Sequence, residues 1–67
     1  MAVARVTKIT AASPKSWQDA VTEGLRRANK TIRGLTGLEV VSMKAHIDKG
    51  KITDYRVTME ITFILEE

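Results

Sequence analysis

Three sets of side chains in this 67-residue chain have the types needed for chemistry. Ser42, His46 and Asp48 supply a nucleophile, a base and an orienting acid, but no strained nucleophile turn or glycine-rich loop surrounds them. Asp48, Asp54, Glu60, Glu66 and Glu67 supply hard oxygen ligands of the kind calcium takes. They lack EF-hand spacing, so such a site would have to draw on several chains. Arg26, Arg27, Lys30 and Arg33 form a basic run that could face phosphate or nucleic acid. No aromatic residue lies among those charges, so a solvated face, paired with acids of a neighbouring subunit, is the simpler reading. Trp17 reads first as a packing residue and second as a ligand contact. His46 reads first as a solvated or hydrogen-bonded side chain and second as a metal ligand at a symmetry axis.

Composition removes other classes. With no cysteine, disulfides, thiolate zinc sites and cysteine nucleophiles are excluded, and a single histidine excludes a multi-histidine site within one chain. Phosphate-loop and dinucleotide-binding patterns are absent, which makes an enzyme the least supported class. No apolar stretch is long enough to cross a membrane, and no secretory h-region opens the chain, so a cytoplasmic location is expected. The net charge of +3 is uneven: residues 1–35 carry seven cations against two acids, residues 36–67 four against six. That split suits an anion-binding face, or two faces of an assembly that meet each other. A chain this short buries only about 60% of its unfolded surface and commonly needs a partner.

The elements that must position these residues are legible in outline. Val3 to Thr10 reads as a strand rich in β-branched residues. A helix start follows, capped either by Ser13 with Pro14 at the first position or by Ser16 with Asp19 three residues on. Trp17, Ala20, Val21, Leu25, Ala28, Ile32 and Leu35 recur at spacings of three and four, with Gly24 and Thr31 completing the stripe. The spacing predicts an amphipathic helix of about twenty residues, closed by Gly34. Leu38 to Ile47 reads as a strand with Glu39, Val41, Met43, Ala45 and Ile47 on one side and Leu38, Val40, Ser42, Lys44 and His46 on the other. Asp48 to Lys51 reads as a short turn. The last strand, about fourteen residues long, places Tyr55, Val57, Met59, Ile61, Phe63 and Leu65 on one face and Arg56, Thr58, Glu60, Thr62, Ile64 and Glu66 on the other. The expected fold class is α+β: β-α-β-β, a three-stranded antiparallel sheet, last strand central, wrapped on one amphipathic helix. The last strand outruns what one helix can cover, and its second face is neither plainly solvent nor plainly core, which points to burial against other subunits.

Several segments together carry a family resemblance. Ser13-x-x-Ser16-Trp17-x-x-Ala20, Arg27-Ala28, Thr31-Ile32-Arg33, Glu39-Val40, Tyr55-Arg56-Val57 and Phe63-Ile64-Leu65-Glu66 lie in the order in which they occur in dodecins. The whole of residues 1–67 resembles a single dodecin-like domain. The resemblance implies a hollow homododecamer with helices outside and sheets curved toward the interior, which binds and stores a flavin, riboflavin or FMN. By family position the flavin contacts fall on Gly37, where those proteins carry a stacking Trp, and on Arg56, where they carry a Gln. Glycine offers no aromatic platform, which is worth roughly 1–3 kcal/mol per stacked ring. Arg56 can stack or donate to carbonyl and phosphate oxygens but cannot accept as Gln does. The alternative within the resemblance is a flavin-independent variant that holds calcium or another small ligand between subunits. Expected partners are copies of this chain and a small molecule, with nucleic acid disfavoured and no membrane contact.

Overall fold

The computed structural model describes residues 3–65. Strand β1 (Val3–Ser13) leads to helix α1 (Trp17–Thr31), then β2 (Leu35–Asp48) and β3 (Lys51–Leu65). All pairings are antiparallel and the order is β1-β3-β2, so the last strand is central, as the sequence reading anticipates.

The boundaries differ from that reading for identifiable reasons. β1 runs three residues past Thr10 because Ala11, Ala12 and Ser13 keep pairing with Val57, Arg56 and Tyr55. Ser13 therefore does not cap the helix. Its buried hydroxyl donates to Asp19 Oδ2 at 2.6 Å and accepts from the Lys15 amide at 3.0 Å. The cap is Ser16, extended at φ −170 and ψ 165, whose side chain accepts from the Asp19 amide at 2.9 Å. Helix α1 has 15 residues rather than twenty, because Ile32 turns extended and its amide closes on Ala28 O at 2.9 Å. Ile32 and Leu35 leave the helix yet still pack against the core. Gly34 belongs to the next corner, at φ +76, where its carbonyl accepts from the Ile64 amide at 3.0 Å. The β2–β3 hairpin turns on Lys49 and Gly50, both at positive φ, the paired requirement of a two-residue primed turn.

The core is narrow. Val57, Met59 and Ile61 of β3 are fully buried beneath Ala20 and Ala28, each worth about 1.5–3 kcal/mol over exposure. The helix contact line is Ala20, Gly24, Ala28, with Gly24 buried as well. A Cβ on Gly24 would lie 2.8 Å from Met59 Cε and 3.0 Å from Ala11 Cβ, so glycine permits the close approach. Leu25, expected on the buried stripe, is exposed because α1 packs on β1 and β3 and leaves the β2 side bare.

The register of β2 overturns the expected face assignment. A bulge between Val40 and Ser42 absorbs one residue, which flips the alternation from there on. Leu38, Val40, Met43 and Ala45 share the helix-side face with Ile61, Met59, Val57 and Tyr55. Glu39, Ser42, Lys44 and His46 share the outer face with Glu60, Thr58, Arg56 and Asp54. Leu38, Val40 and Met43 thus lie on the core side of the sheet beyond the reach of the helix, and Met43 is 55% exposed.

Replacing Gly24 by Val forces methyl groups into the Met59–Ala11 contact. The expected outcome is a loss of about 2 kcal/mol in unfolding free energy, read by denaturant unfolding, and an unchanged midpoint would refute the close-approach account.

Candidate functional site

Two surfaces arise from this geometry. The first is the apolar strip of Leu38, Val40 and Met43 on β2 with the exposed Leu25 of α1. The second is the outer sheet face, whose side chains stand in cross-strand rows. One row holds Ala12, Arg56 and Lys44; the next holds Thr10, Thr58 and Ser42, with the two threonine hydroxyls 3.0 Å apart. The third holds Lys8, Glu60 and Glu39, and the fourth Val6, Thr62 and Gly37.

Like charges face each other twice. Lys44 is directly opposite Arg56, and Glu39 directly opposite Glu60. Such pairs are unfavourable by roughly 0.2–1 kcal/mol unless something offsets them. Asp54 partly offsets the first through a 3.2 Å contact from Arg56 Nε to Asp54 Oδ2. Lys8 stands across from Glu60 on the other side.

The residues singled out in the sequence fare differently. Gly37 lies opposite Thr62, and Arg56 is six residues back along β3, so at about 3.4 Å per residue the two are roughly 20 Å apart within one chain. They share the outer face but do not converge within it. The Gly37 backbone needs no glycine: its φ is not positive, and a Cβ would come no nearer than 3.8 Å to Thr62 Cβ. Ser42 and His46 stay about 13 Å apart along β2, His46 faces Asp54, and Asp48 sits at the hairpin end opposite Lys51. No hydrogen bond joins the three among the described residues. Of the acids, Asp54 is engaged by Arg56, Asp48 is at the hairpin tip, and Glu60 is in the acidic row; Glu66 and Glu67 lie outside the described residues. No three metal-ligating side chains gather among the described residues. On the basic helix face Arg26 donates to Glu23 at 2.7 Å, which raises the guanidinium pKa at the solvent surface. Trp17 packs edge-on against Tyr55, centroids 4.8 Å apart, and its indole Nε1 donates to Lys44 O at 3.0 Å.

Sequence reasoning placed Arg56, Thr58 and Glu60 on one face. It missed the Lys44–Arg56 and Glu39–Glu60 pairings, since both depend on the register of β2 across the bulge. The adjacency of charged residues on alternating strand positions was the available signal, without the means to align two strands.

A thin antiparallel sheet half covered by one helix, with a bare apolar strip and a polar outer face, defines a small α+β chain of β-α-β-β order. Comparison with known proteins gives the class its name. The profile of the Dodecin family matches residues 3–66, and the chain belongs to the dodecin family. It is 34% identical over 64 residues to calcium dodecin of Mycobacterium tuberculosis, covering 94% of this chain and 89% of that one. The dodecin of Thermus thermophilus is 31% identical over 65 residues, covering 97% and 94%. Among solved structures, dodecin from Streptomyces davaonensis superposes with a TM-score of 0.94 at 35% identity, covering 98% of this chain and 97% of that one. The structure of the M. tuberculosis protein, described as calcium chelating with a novel calcium-binding site, superposes at 0.83 with 31% identity, covering 96% and 91%. Among the described residues no helix is long and apolar enough to cross a membrane.

Trp17→Phe removes the indole donor while keeping the aromatic packing. The expected cost is about 1 kcal/mol of unfolding free energy, measured by urea titration, and no change would show that the bond to Lys44 O holds nothing in place.

Proposed function

We propose that this chain is the subunit of a homo-oligomeric shell, twelve copies as in the dodecin arrangement, that binds and sequesters a flavin (riboflavin or FMN) in the cytoplasm without catalysing a reaction. The observation that carries the assembly is the incompleteness of the single chain. It measures 51 × 19 × 13 Å with a radius of gyration of 13.9 Å, against about 11 Å for a compact domain of this length. Three of its exposed apolar side chains, Leu38, Val40 and Met43, line up along the sheet face that the helix leaves open. Covering that strip with a second copy extends the narrow core across the subunit boundary.

The flavin is assigned to the outer face by family position, with Gly37 and Arg56 as the contacts. Because they lie far apart in one chain, a single ligand meets both only where Gly37 of one copy approaches Arg56 of another. The absence of an aromatic at Gly37 makes weak flavin binding the expectation.

A second reading has its own observation. Glu39 and Glu60 stand directly opposite each other, and one of the similar proteins is a calcium dodecin. Repetition of that carboxylate pair around a symmetry axis is the arrangement a hard divalent cation takes.

Native mass spectrometry tests the assembly. The wild-type chain is expected as a dodecamer, and Val40→Glu with Met43→Glu as monomer or small fragments. A dodecamer that survives both substitutions would remove the strip from the interface. For the ligand, Gly37→Trp is expected to raise flavin affinity by about tenfold or more, since a stacking platform contributes roughly 1–3 kcal/mol. Quenching of riboflavin and FMN fluorescence reads that gain. Calorimetric titration with calcium separates the second reading: heat that vanishes in Glu60→Gln supports it, and silence in the wild type ends it.

A further inference from the structure

The sheet has two free edges, and they differ. β2 carries three register shifts along its pairing with β3, at Leu35/Gly37, Val40/Ser42 and His46/Ile47. Irregularities of this kind blunt an edge against further pairing. β1 keeps one unbroken register from Val3 to Ser13. It lies outermost in the order β1-β3-β2, with no strand on its other side among the described residues. The amide and carbonyl groups of its alternate residues therefore point away from β3 without a strand partner.

A groove of about 640 Å³ separates this edge from α1, a size within the roughly 300–1,000 Å³ of ligand clefts. Its strand wall is Ile9 through Ala12, four residues in succession. Successive side chains of a strand point to opposite faces, so a groove confined to one face would meet only every second residue. Four in a row mean that it follows the backbone edge. The helix wall reaches from Glu23 to Thr31. At 1.5 Å per residue that wall is about 12 Å long, against about 14 Å for the strand wall, so the two match one short extended segment. Gly24 and Ala28 keep the helix wall low and apolar.

The charges choose the occupant. Arg27 lines the groove, is exposed, and has no ion pair among the described residues; Lys30, one turn on, is equally free. The one carboxylate of the lining, Glu23, is held by Arg26 at 2.7 Å. Asp19, the other acid of the helix, accepts the Ser13 hydroxyl. The rim thus presents unspent positive charge. A second β1 would set Arg5 and Lys8 against their own kind, which disfavours pairing of two copies through this edge.

We propose that the groove between α1 and β1 takes an extended acidic peptide of a partner protein, which adds to β1 as a fourth strand. Main-chain hydrogen bonds to the free edge supply the affinity, and alternate side chains supply the specificity. Small apolar side chains fit beside Ala11 and Ala28, and carboxylates answer Arg27. The flavin reading is not needed for this surface, which lies on the opposite side of the helix from the apolar strip of β2.

The test titrates the assembled wild-type protein into a fluorescein-labelled hexapeptide of alternating glutamate and valine, followed by fluorescence anisotropy. The comparison peptides are a lysine–valine counterpart and two glutamate peptides N-methylated at the odd or at the even amides. A strand added to one edge uses only one of those two sets, so one methylated peptide is expected to bind about tenfold or more weaker than the other. Arg27→Glu is expected to weaken the parent peptide by about tenfold, and Lys49→Glu, at the hairpin tip, to leave it unchanged. Native mass spectrometry checks that the variants keep the wild-type oligomer and that the peptide rides on it. No rise in anisotropy at millimolar subunit concentration overturns the site. Equal binding of the two methylated peptides overturns strand addition. Equal binding of the lysine peptide, or an equal loss in Lys49→Glu, overturns the selection of acid by Arg27. Peptide found only on dissociated chains assigns the edge to contacts between copies and overturns the external partner.

Discussion

The seating of one short helix on two strands out of three governs the structure. The line of Ala20, Gly24 and Ala28 lets α1 descend until the next added carbon would strike Met59 and Ala11. That closeness seals Val57, Met59 and Ile61 beneath it. It also spends the helix on β1 and β3, so that β2 keeps the inner apolar residues of a core strand without a layer above them. The length of the strands amplifies the effect: β2 and β3 have 14 and 15 residues against a helix of 15, and a helix rises less than half as far per residue as a strand. One helix cannot roof such a hairpin. A chain built in this way leaves part of its sheet without a packing layer, which the proposed assembly supplies from another copy.

The outer face follows from a smaller feature, the bulge at Val41. Without it, the alternation beginning at Leu38 would carry Met43 outward and Lys44 inward. With it, Lys44 and Ser42 join Arg56 and Thr58, so that β2 and β3 together carry a cation pair on this face and, two rows away, a carboxylate pair. The bulge therefore sorts charges as well as bending the strand. Both like-charge pairings are mildly unfavourable in the isolated chain, which makes them places where a counter-ion or a neighbouring subunit gains most.

Membership of the dodecin family sits comfortably with this architecture, and the interest lies in the departures. Gly37 occupies a position without positive φ that any residue could adopt, where an added Cβ would make only ordinary contact with Thr62. The backbone there would accept an aromatic as readily as glycine. Arg56, unlike the amide the resemblance implies at its position, only donates. In the proposed site the two residues move recognition on the outer face from ring stacking toward charge.

The helix, the strand order and the buried face of β3 were readable in the residues, because periods of 3.6 and 2 report which side chains share a face. Trp17, Ala20 and Ala28 mark the helix; Val57, Met59 and Ile61 mark the central strand. Local competition blurred the ends: Ser13 and Ser16 offered the same cap chemistry, and only the pairing of β1 with Tyr55 through Val57 removed Ser13 from the contest. Ile32 and Leu35 keep helical spacing after the helix has ended, since residues that close a core from a loop obey the same geometry. The linear chain determined the pattern within each element. Tertiary structure alone decided the relations between elements: the depth at which Gly24 lets the helix sit, the bulge that sets the register of β2, and so the meeting of Lys44 with Arg56. Periodicity constrains one strand at a time, whereas register is an agreement between two.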